Sequence, residues 1–245
     1  MWEQRMPARS ATSSGVGTKG RAPTSRRRSV PKRMAHENVQ TYQRLVTQLR
    51  KFDAESPIRK YAAERHPDSP FALVSSEGGP NIWRAFRHET PSLRYQNWRY
   101  VAAADQLLQE LNNVDNQEAF DRLLFSAAES LVADWGATND DGQPSRMNIG
   151  LALKITNLVF KRAAFSDFIT NPRVKGWLHV PWDQYTLRPL RALWEQYPPI
   201  DPTQRFVDTV DRYLALHELI SAITREAGVD RITYEFWAWD ARRHD

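Results

Sequence analysis

Residues Gly150–Asn157 read GLALKITN, residues Val180–Arg188 read VPWDQYTLR, and these two stretches decide the expected fold. The first continues as a helix to about Phe165, because apolar residues recur along one side of it at helical spacing. That stripe comprises Ile149, Ala152, Ile155, Val159 and Ala163. Lys154 lies beside the stripe, so we expect its amine at the edge of the packed core. Asp183 lies two residues after Pro181 and is expected to open the next helix.

The order of these residues resembles the active site of the helix-hairpin-helix DNA glycosylases, of the 8-oxoguanine-glycosylase type. In that superfamily a Gly-x-Gly-x-Lys hairpin precedes an aspartate that opens the next helix, and an arginine follows five residues later. Gly150, Lys154, Asp183 and Arg188 keep this order, whereas Ala152 replaces the second glycine. The hairpin is therefore degenerate, and the interval from lysine to aspartate is longer than in the common pattern.

The resemblance implies a mainly α-helical, two-lobed fold that excises a damaged or modified base from double-stranded DNA. Asp183 is the predicted catalytic carboxylate, which would stabilise positive charge on the deoxyribose as the base departs. Lys154 is the predicted nucleophile, whose attack on C1′ gives a Schiff base and permits strand cleavage. If Lys154 is only a phosphate or structural residue, water attacks instead and an abasic site remains. Lys161 is a second candidate lysine, without a glycine hairpin before it.

Charge and aromatic residues around this motif indicate a surface for DNA. Leu153–Arg191 holds seven Lys or Arg against two acids, whereas Ala104–Asp141 holds nine acids against Arg122. A phosphate backbone would be drawn to the first segment and repelled by the second. The predicted DNA-binding residues are Gly150, Arg188, Lys161, Arg162 and Lys175. The predicted base pocket or wedge consists of Trp177, His179, Trp182 and Tyr185.

Composition excludes several other classes of protein. The 245 residues contain 41% hydrophobic side chains, enough for a sizeable core. Because the chain has no cysteine, disulfides and cysteine-ligated zinc or iron–sulfur sites are excluded. The six histidines lack metal-binding spacing, so we expect neither a metal nor a cofactor. No apolar run approaches the roughly 20 residues of a membrane span. We expect a monomer without a membrane partner, and a cytoplasmic, nucleoid-associated location if the protein is bacterial or viral.

The amino-terminal residues differ in composition from the rest. Residues 1–33 hold nine Lys or Arg against Glu3, a net charge of +8, which leaves −3 of the formal +5 for the remaining chain. We expect a disordered basic tail over residues 1–34 and a helical glycosylase-like domain over residues 35–245. The tail could attract nucleic acid nonspecifically, could serve as an organellar transit peptide, or could reflect an overextended start before Met34.

Periodicity and turn residues predict the remaining elements. Helices are expected over residues 35–52, 56–65, 91–111, 116–135, 145–165, 183–197 and 202–227, with a connector over 66–80 and a packed terminal segment over 232–239. No alternation typical of strands is present, so the expected class is mainly α.

Two other functions remain open at this point. The segment Arg212–His217 fits the Arg-x4-His motif of the all-helical HEPN ribonucleases, in which both side chains act on RNA. Alternatively, the chain is a glycosylase-like scaffold that binds bent or damaged DNA without cutting it. Each candidate residue also has an ordinary role: Asp183 as a helix cap, Lys154 as a solvated helix lysine, and the tryptophans as core. The excised base, and a role in repair or in defence, are not determined by the sequence.

Overall fold

Helices make up most of the described chain. The computed structural model of the protein describes residues 36–64, 67–76, 80–83, 86, 89–194 and 206–241. Its helices are α1 (His36–Lys51), α2 (Glu55–Glu64), α3 (Pro70–Ser75), α4 (Pro80–Trp83), α5 (Pro91–Gln96), α6 (Arg99–Ala102), α7 (Ala104–Asn113), α8 (Gln117–Trp135), α9 (Ile149–Ala164), α10 (Val174–Trp177), α11 (Gln184–Leu187), α12 (Val210–Ala227) and α13 (Arg231–Ala241). Within these ranges no β-strand is present, and the mainly α class is confirmed. The predicted tail over residues 1–34 lies outside the described residues.

Helices α8 and α9 form the centre of the core. The α8 helix begins after Asn116, whose side chain accepts a hydrogen bond from the amide of Ala119, and it ends at Gly136 with φ of 91°. The α9 helix begins after Asn148, which caps the amide of Leu151 in the same way. Most of the side chains of α9 are buried, because neighbours pack on several of its sides. The predicted central helix is thus confirmed, although it begins later than residue 145.

A second group of helices covers the other side of α9. Helix α12 packs on α1 and on α13, and α13 also packs on α11. Thr209 caps the start of α12, and Gly228 ends it in the left-handed conformation. On α12, Leu216, Ile220 and Ile223 are buried, whereas Leu214 is exposed. The packing of α11 on α13 positions Asp183 beside a helix far along the chain.

The helix predicted over residues 91–111 is divided into α5, α6 and α7. Trp98 leaves the helical conformation with ψ of 125°, and Ala103 interrupts the chain again with ψ of 37°. The first break lets Trp98 turn inward, where it is fully buried and donates from Nε1 to the Ser130 hydroxyl. Tyr95 is buried beside it and donates to the carbonyl of Val74. The helix is broken because burial of these two large aromatic side chains stabilises the fold more than a continuous helix would.

Two other predicted boundaries are wrong. The helix expected from residue 183 to 197 ends at Leu187 and continues only as a 3₁₀ turn over Arg188–Leu190. Pro189 explains the change, because it has no N–H and its ring disfavours a continued α-helix. The connector expected over residues 66–80 contains helix α3, which Ser69 caps through the amide of Ala72. Residues 195–205 are outside the described chain, as is the predicted start of α12 at 202.

None of the described helices is both long and apolar enough to cross a membrane.

Candidate active site: a lysine–aspartate pair at the edge of the core

Lys154 and Asp183 lie side by side. The Nζ atom of Lys154 is 3.8 Å from Oδ2 of Asp183. The side chains are 16% and 12% exposed, so both are mostly buried but still reach solvent. This position of Lys154 at the edge of the core was predicted from the apolar stripe. The structure therefore brings together the two residues expected to carry the chemistry.

The carboxylate of Asp183 uses its two oxygens differently. Oδ1 accepts hydrogen bonds from the amides of Tyr185 and Thr186, at 2.9 and 3.0 Å. The Thr186 hydroxyl accepts in return from the amide of Asp183 at 2.8 Å, which completes a capping box. Oδ2 is the atom that faces Lys154. The structural role of Asp183 as a helix cap therefore leaves one oxygen directed to the lysine.

Helix α13 fixes the position of this cap. The hydroxyl of Tyr234 on α13 is buried and donates to the carbonyl of Thr186 at 2.5 Å. Because α11 is only four residues long, it has little stability of its own. Its anchoring to α13 thus determines where Asp183 lies relative to Lys154.

Asn112 and Asn171 hold the loop that joins α9 to α10, and Asn171 donates to the carbonyl of Val114 at 2.8 Å. Asn112 donates to the carbonyl of Phe168 at 2.8 Å and accepts from the amides of Thr170 and Asn171 at 2.7 and 3.2 Å. These bonds tie the loop to the end of α7. The chain can then return from α9 towards α11 along a defined path, although the loop is longer than in the glycosylase pattern.

Burial is the main electrostatic influence on Lys154. Removal from water lowers the pKa of Lys154, the negative charges of Asp183 and Glu235 oppose that shift, and the positive charge of Lys161 adds to it. A lysine with a lowered pKa carries a larger fraction of neutral amine near pH 7. Neutral amine is the form that attacks an electrophilic carbon.

Lys161 lies two turns further along α9 and is paired differently. Its Nζ donates to Oε1 of Glu235 at 2.6 Å, and both side chains are buried. The rings of Tyr61 and Phe236 lie against the ammonium group, 4.5 and 5.4 Å from it to the ring centroids. Burial raises the pKa of Glu235, and the charge of Lys161 opposes that shift. A lysine buried in this way is not placed to bind DNA phosphates, contrary to the prediction.

Gly150 also differs from its predicted role. It is the second residue of α9, so Gly150 and Lys154 lie in one continuous helix, and Gly150 is buried. A Cβ built on it would lie 1.4 Å from the carbonyl oxygen of Val207. The glycine therefore allows the chain near Val207 to pack directly on the helix backbone, and it does not present amides to a DNA phosphate.

The predicted pocket aromatics divide into buried and half-buried residues. His179 and Trp182 are almost fully buried, so they are not placed to stack on an everted base. The ring of Trp177 packs on Phe120 with ring centroids 6.4 Å apart. Tyr185 is half-buried like Trp177, and its ring centroid is 4.9 Å from that of the exposed Trp239. Trp177 and Tyr185 are thus the predicted pocket residues that remain partly exposed, and Tyr185 lies two residues after Asp183.

His179 belongs to a buried hydrogen-bonded chain behind the site. Its Nε2 pairs with Asp121 at 2.9 Å, its Nδ1 with the Tyr213 hydroxyl at 2.9 Å, and Asn157 donates to that hydroxyl at 2.8 Å. The ring of His217 stacks on His179 with ring centroids 3.7 Å apart. Burial lowers the pKa of His179, and it lowers the pKa of His217 to about 2. Both imidazoles are therefore neutral over the physiological pH range.

This arrangement does not support the ribonuclease alternative. Arg212 donates to the carbonyl of Phe206 at 2.7 Å and pairs with Asp208, and so points away from His217. Residues five apart on a helix are separated by about 140° around its axis. The neutral, stacked His217 and the engaged Arg212 do not form one site.

The remaining predicted DNA-binding residues lie nearer the surface. Arg188 and Lys175 are exposed, and the Lys175 ammonium lies 5.2 Å from the ring centroid of Phe165. Arg162 is half-buried and donates to the hydroxyl of Ser76. Arg188 follows α11 directly, so its charge lies close to Asp183 along the chain.

Two residues that the sequence argument passed over belong to the site. Glu235 and Trp239 are four residues apart on α13 and so share one face of that helix. Their signal in the sequence is weak, although a carboxylate inside the apolar run ITYEFWAW is unusual unless it is paired. The pairing with Lys161 supplies that explanation.

In the described ranges, no group of three or more His, Asp or Glu side chains is arranged to hold a metal ion. No protein family, curated protein or solved structure matches the chain.

Proposed function

We propose that this protein is a DNA glycosylase, which excises a damaged or modified base from double-stranded DNA by cleaving the N-glycosidic bond. The observation that carries the proposal is the Lys154–Asp183 pair, with 3.8 Å between Nζ and Oδ2, at a site that is mostly buried but open to solvent. The sequence resemblance and the contact between the two side chains are independent observations, because spacing in sequence does not determine distance in space.

Each side chain has a defined task in this reaction. As the base leaves with the bonding electrons, positive charge grows at C1′, and the Oδ2 atom of Asp183 would stabilise it electrostatically. The neutral amine of Lys154 would then attack C1′, lose its proton and form a Schiff base after ring opening. Elimination from that intermediate cleaves the strand. The lowered pKa of Lys154 favours this bifunctional route over attack by water.

The surface beside the pair fits a nucleic-acid partner. The exposed ring of Trp239 and the neighbouring Tyr185 offer a stacking surface for a base that has left the duplex. Arg188 and Lys175 supply exposed positive charge for the phosphate backbone. A monomer is sufficient for this arrangement.

The test is incubation of the purified protein with duplexes that each carry one modified base, with borohydride added to trap a Schiff base. The variants are Lys154→Ala and Asp183→Asn. We expect base release to be lost in Asp183→Asn, and the trapped complex to be lost in Lys154→Ala. The exposed Lys51→Ala at the end of α1 is the matched control and should trap as the wild type does.

Other outcomes discriminate between the alternatives. Release without trapping would show that water is the nucleophile and that the enzyme is monofunctional. Binding to every duplex with no release from any would favour the non-catalytic scaffold. Cleavage of RNA that depends on His217 would overturn the proposal in favour of a ribonuclease.

A further inference from the structure

The site contains two lysines and two carboxylates with unequal pairings. Lys161 and Glu235 are in close contact at 2.6 Å, within hydrogen-bonding distance. Lys154 and Asp183 are 3.8 Å apart, beyond hydrogen-bonding distance. Lys161 is therefore hydrogen-bonded to its carboxylate, whereas Lys154 faces its own at ion-pair distance, although the two lysines are seven residues apart on the same side of α9.

We propose that Lys161 and Glu235 are positioning residues that keep Lys154 available as a nucleophile. Lys161 engages the Glu235 carboxylate, which would otherwise form a tight ion pair with the amine of Lys154. This inference rests on the proposed function, because only covalent chemistry at Lys154 benefits from an amine outside a tight ion pair.

Glu235 has the features of a competitor for Lys154. Its side chain is 3% exposed, and its Oε2 atom has no hydrogen-bond partner among the described residues. Its charge also acts directly on Lys154. A buried carboxylate oxygen without a partner is costly, so Glu235 would move to the nearest cation if Lys161 were absent.

Lys161 has a second effect through its own charge. A fixed ammonium group near Lys154 disfavours a second positive charge in the same buried region. The rings of Tyr61 and Phe236 hold the Lys161 ammonium in place. The charged groups that act on Lys154 are therefore Asp183 from the start of α11, Glu235 from α13 and Lys161 from α9 itself.

This arrangement predicts opposite effects for two neutral substitutions of similar size. Lys161→Met removes the competing cation, so Glu235 should bind Lys154 and raise the pKa of its amine. Glu235→Gln leaves the charge of Lys161 uncompensated, so the pKa of Lys154 should fall further. The double variant removes both charges and should lie between the two.

The measurement is the pH dependence of reductive methylation of Lys154 by formaldehyde and borohydride, followed by mass spectrometry of its peptide, without DNA. One pKa unit changes the neutral fraction about tenfold, so Lys161→Met should slow labelling near neutral pH by roughly that factor. Glu235→Gln should accelerate it. The exposed Lys175 in the same samples is the internal control and should be unchanged. If Lys161→Met fails to fold, Glu235→Gln and the double variant still carry the comparison.

The results separate this inference from the proposed function. If the pKa of Lys154 shifts in the same direction in both single variants, or does not shift, the positioning role is overturned even if base release is observed. Opposite shifts without base release from any duplex would support the role of the pair at Lys154 and reject the glycosylase.

Discussion

Asp183 divides its carboxylate between a helix cap and a mostly buried lysine. Oδ1 caps helix α11 through two backbone amides, while Oδ2 faces Lys154. Two substitutions of Asp183 can therefore separate the effect of its charge from the effect of its helix cap. Asparagine keeps an oxygen acceptor at the cap position, whereas alanine does not.

We therefore predict different stabilities for two substitutions of Asp183. Asp183→Ala should lower the free energy of unfolding by about 0.5–2 kcal/mol, because the cap is lost. Asp183→Asn should keep most of that stability, and base release should be lost in both. Urea unfolding monitored by circular dichroism measures the difference. Equal stability of the two variants would argue against the capping box.

Gly150 supports a second prediction at the scale of single residues. A methyl group at this position would collide with the carbonyl of Val207, which is backbone and cannot rotate away. Gly150→Ala should therefore destabilise the fold by about 1–3 kcal/mol, as expected for overpacking in a core. Gly176→Ala is the matched control, because a Cβ there meets only a side-chain oxygen of Asp230 at 3.8 Å. Thermal unfolding measures both variants. A lower Tm for Gly150→Ala with an unchanged Tm for Gly176→Ala would confirm the contact.

At the scale of elements, the stacked histidines connect the segment before α11 with α12. His179 precedes α11 and bonds to Asp121 of α8, whereas His217 stacks on it from α12. His179 is buried and His217 is half-buried against it, so a proton on either ring places a charge in this stacked contact. The junction of these elements is therefore sensitive to acid.

The pH dependence of stability follows from His217. Burial lowers its pKa in the folded protein from 6.5 to about 2, helped by the charge of Arg231 and by any charge on His179. Between these values the unfolded chain binds a proton that the folded chain does not, so the free energy of unfolding falls as pH falls. His217→Gln should reduce that fall by up to about 1.4 kcal/mol per pH unit below roughly pH 6. Urea unfolding of the wild type and of His217→Gln at about pH 7.5 and about pH 5 tests this. Equal losses of unfolding free energy in the two proteins would contradict it.

Across the whole molecule, the basic segment Leu153–Arg191 does not form a single charged face. Lys154 and Lys161 lie in α9, which packs along α8, and they are largely withdrawn from solvent. The exposed positive charges come from the later part of the segment, including Lys175 and Arg188. The buried charges lie at the candidate active site, and the exposed charges lie at the solvent-accessible surface.

Loss of one exposed arginine should therefore weaken DNA binding in a salt-dependent way. Arg188→Gln should lower the affinity for any duplex and reduce the slope of log affinity against log salt by about one, as for one lost phosphate contact. Fluorescence anisotropy over a salt series measures this. Glu129→Gln, on the exposed side of α8, is the control and should leave the slope unchanged. An unaltered slope in Arg188→Gln would place the DNA elsewhere.

The sequence predicted the parts of this molecule that depend on local chemistry. The α8 and α9 helices, the end of α8 at Gly136 and the position of Lys154 follow from periodicity and capping, whereas α9 begins after Asn148, later than predicted. Periodicity does not predict that residues 91–113 form three helices instead of one, because the breaks depend on the burial of Trp98 against α8. Glu235 was missed for a related reason, since its partner Lys161 comes from a helix far away in sequence. Contacts between distant segments decided each of these cases.

The double duty of Asp183 has a genetic consequence. Both aspartate codons become asparagine codons through a single G-to-A transition, so the gene lies one nucleotide change from an allele that keeps the cap but lacks the carboxylate. Such an allele should accumulate as normal protein. Under the proposed function, a screen for loss of function with undiminished protein level should therefore recover this change, whereas changes at Gly150 should be recovered among the poorly accumulating alleles.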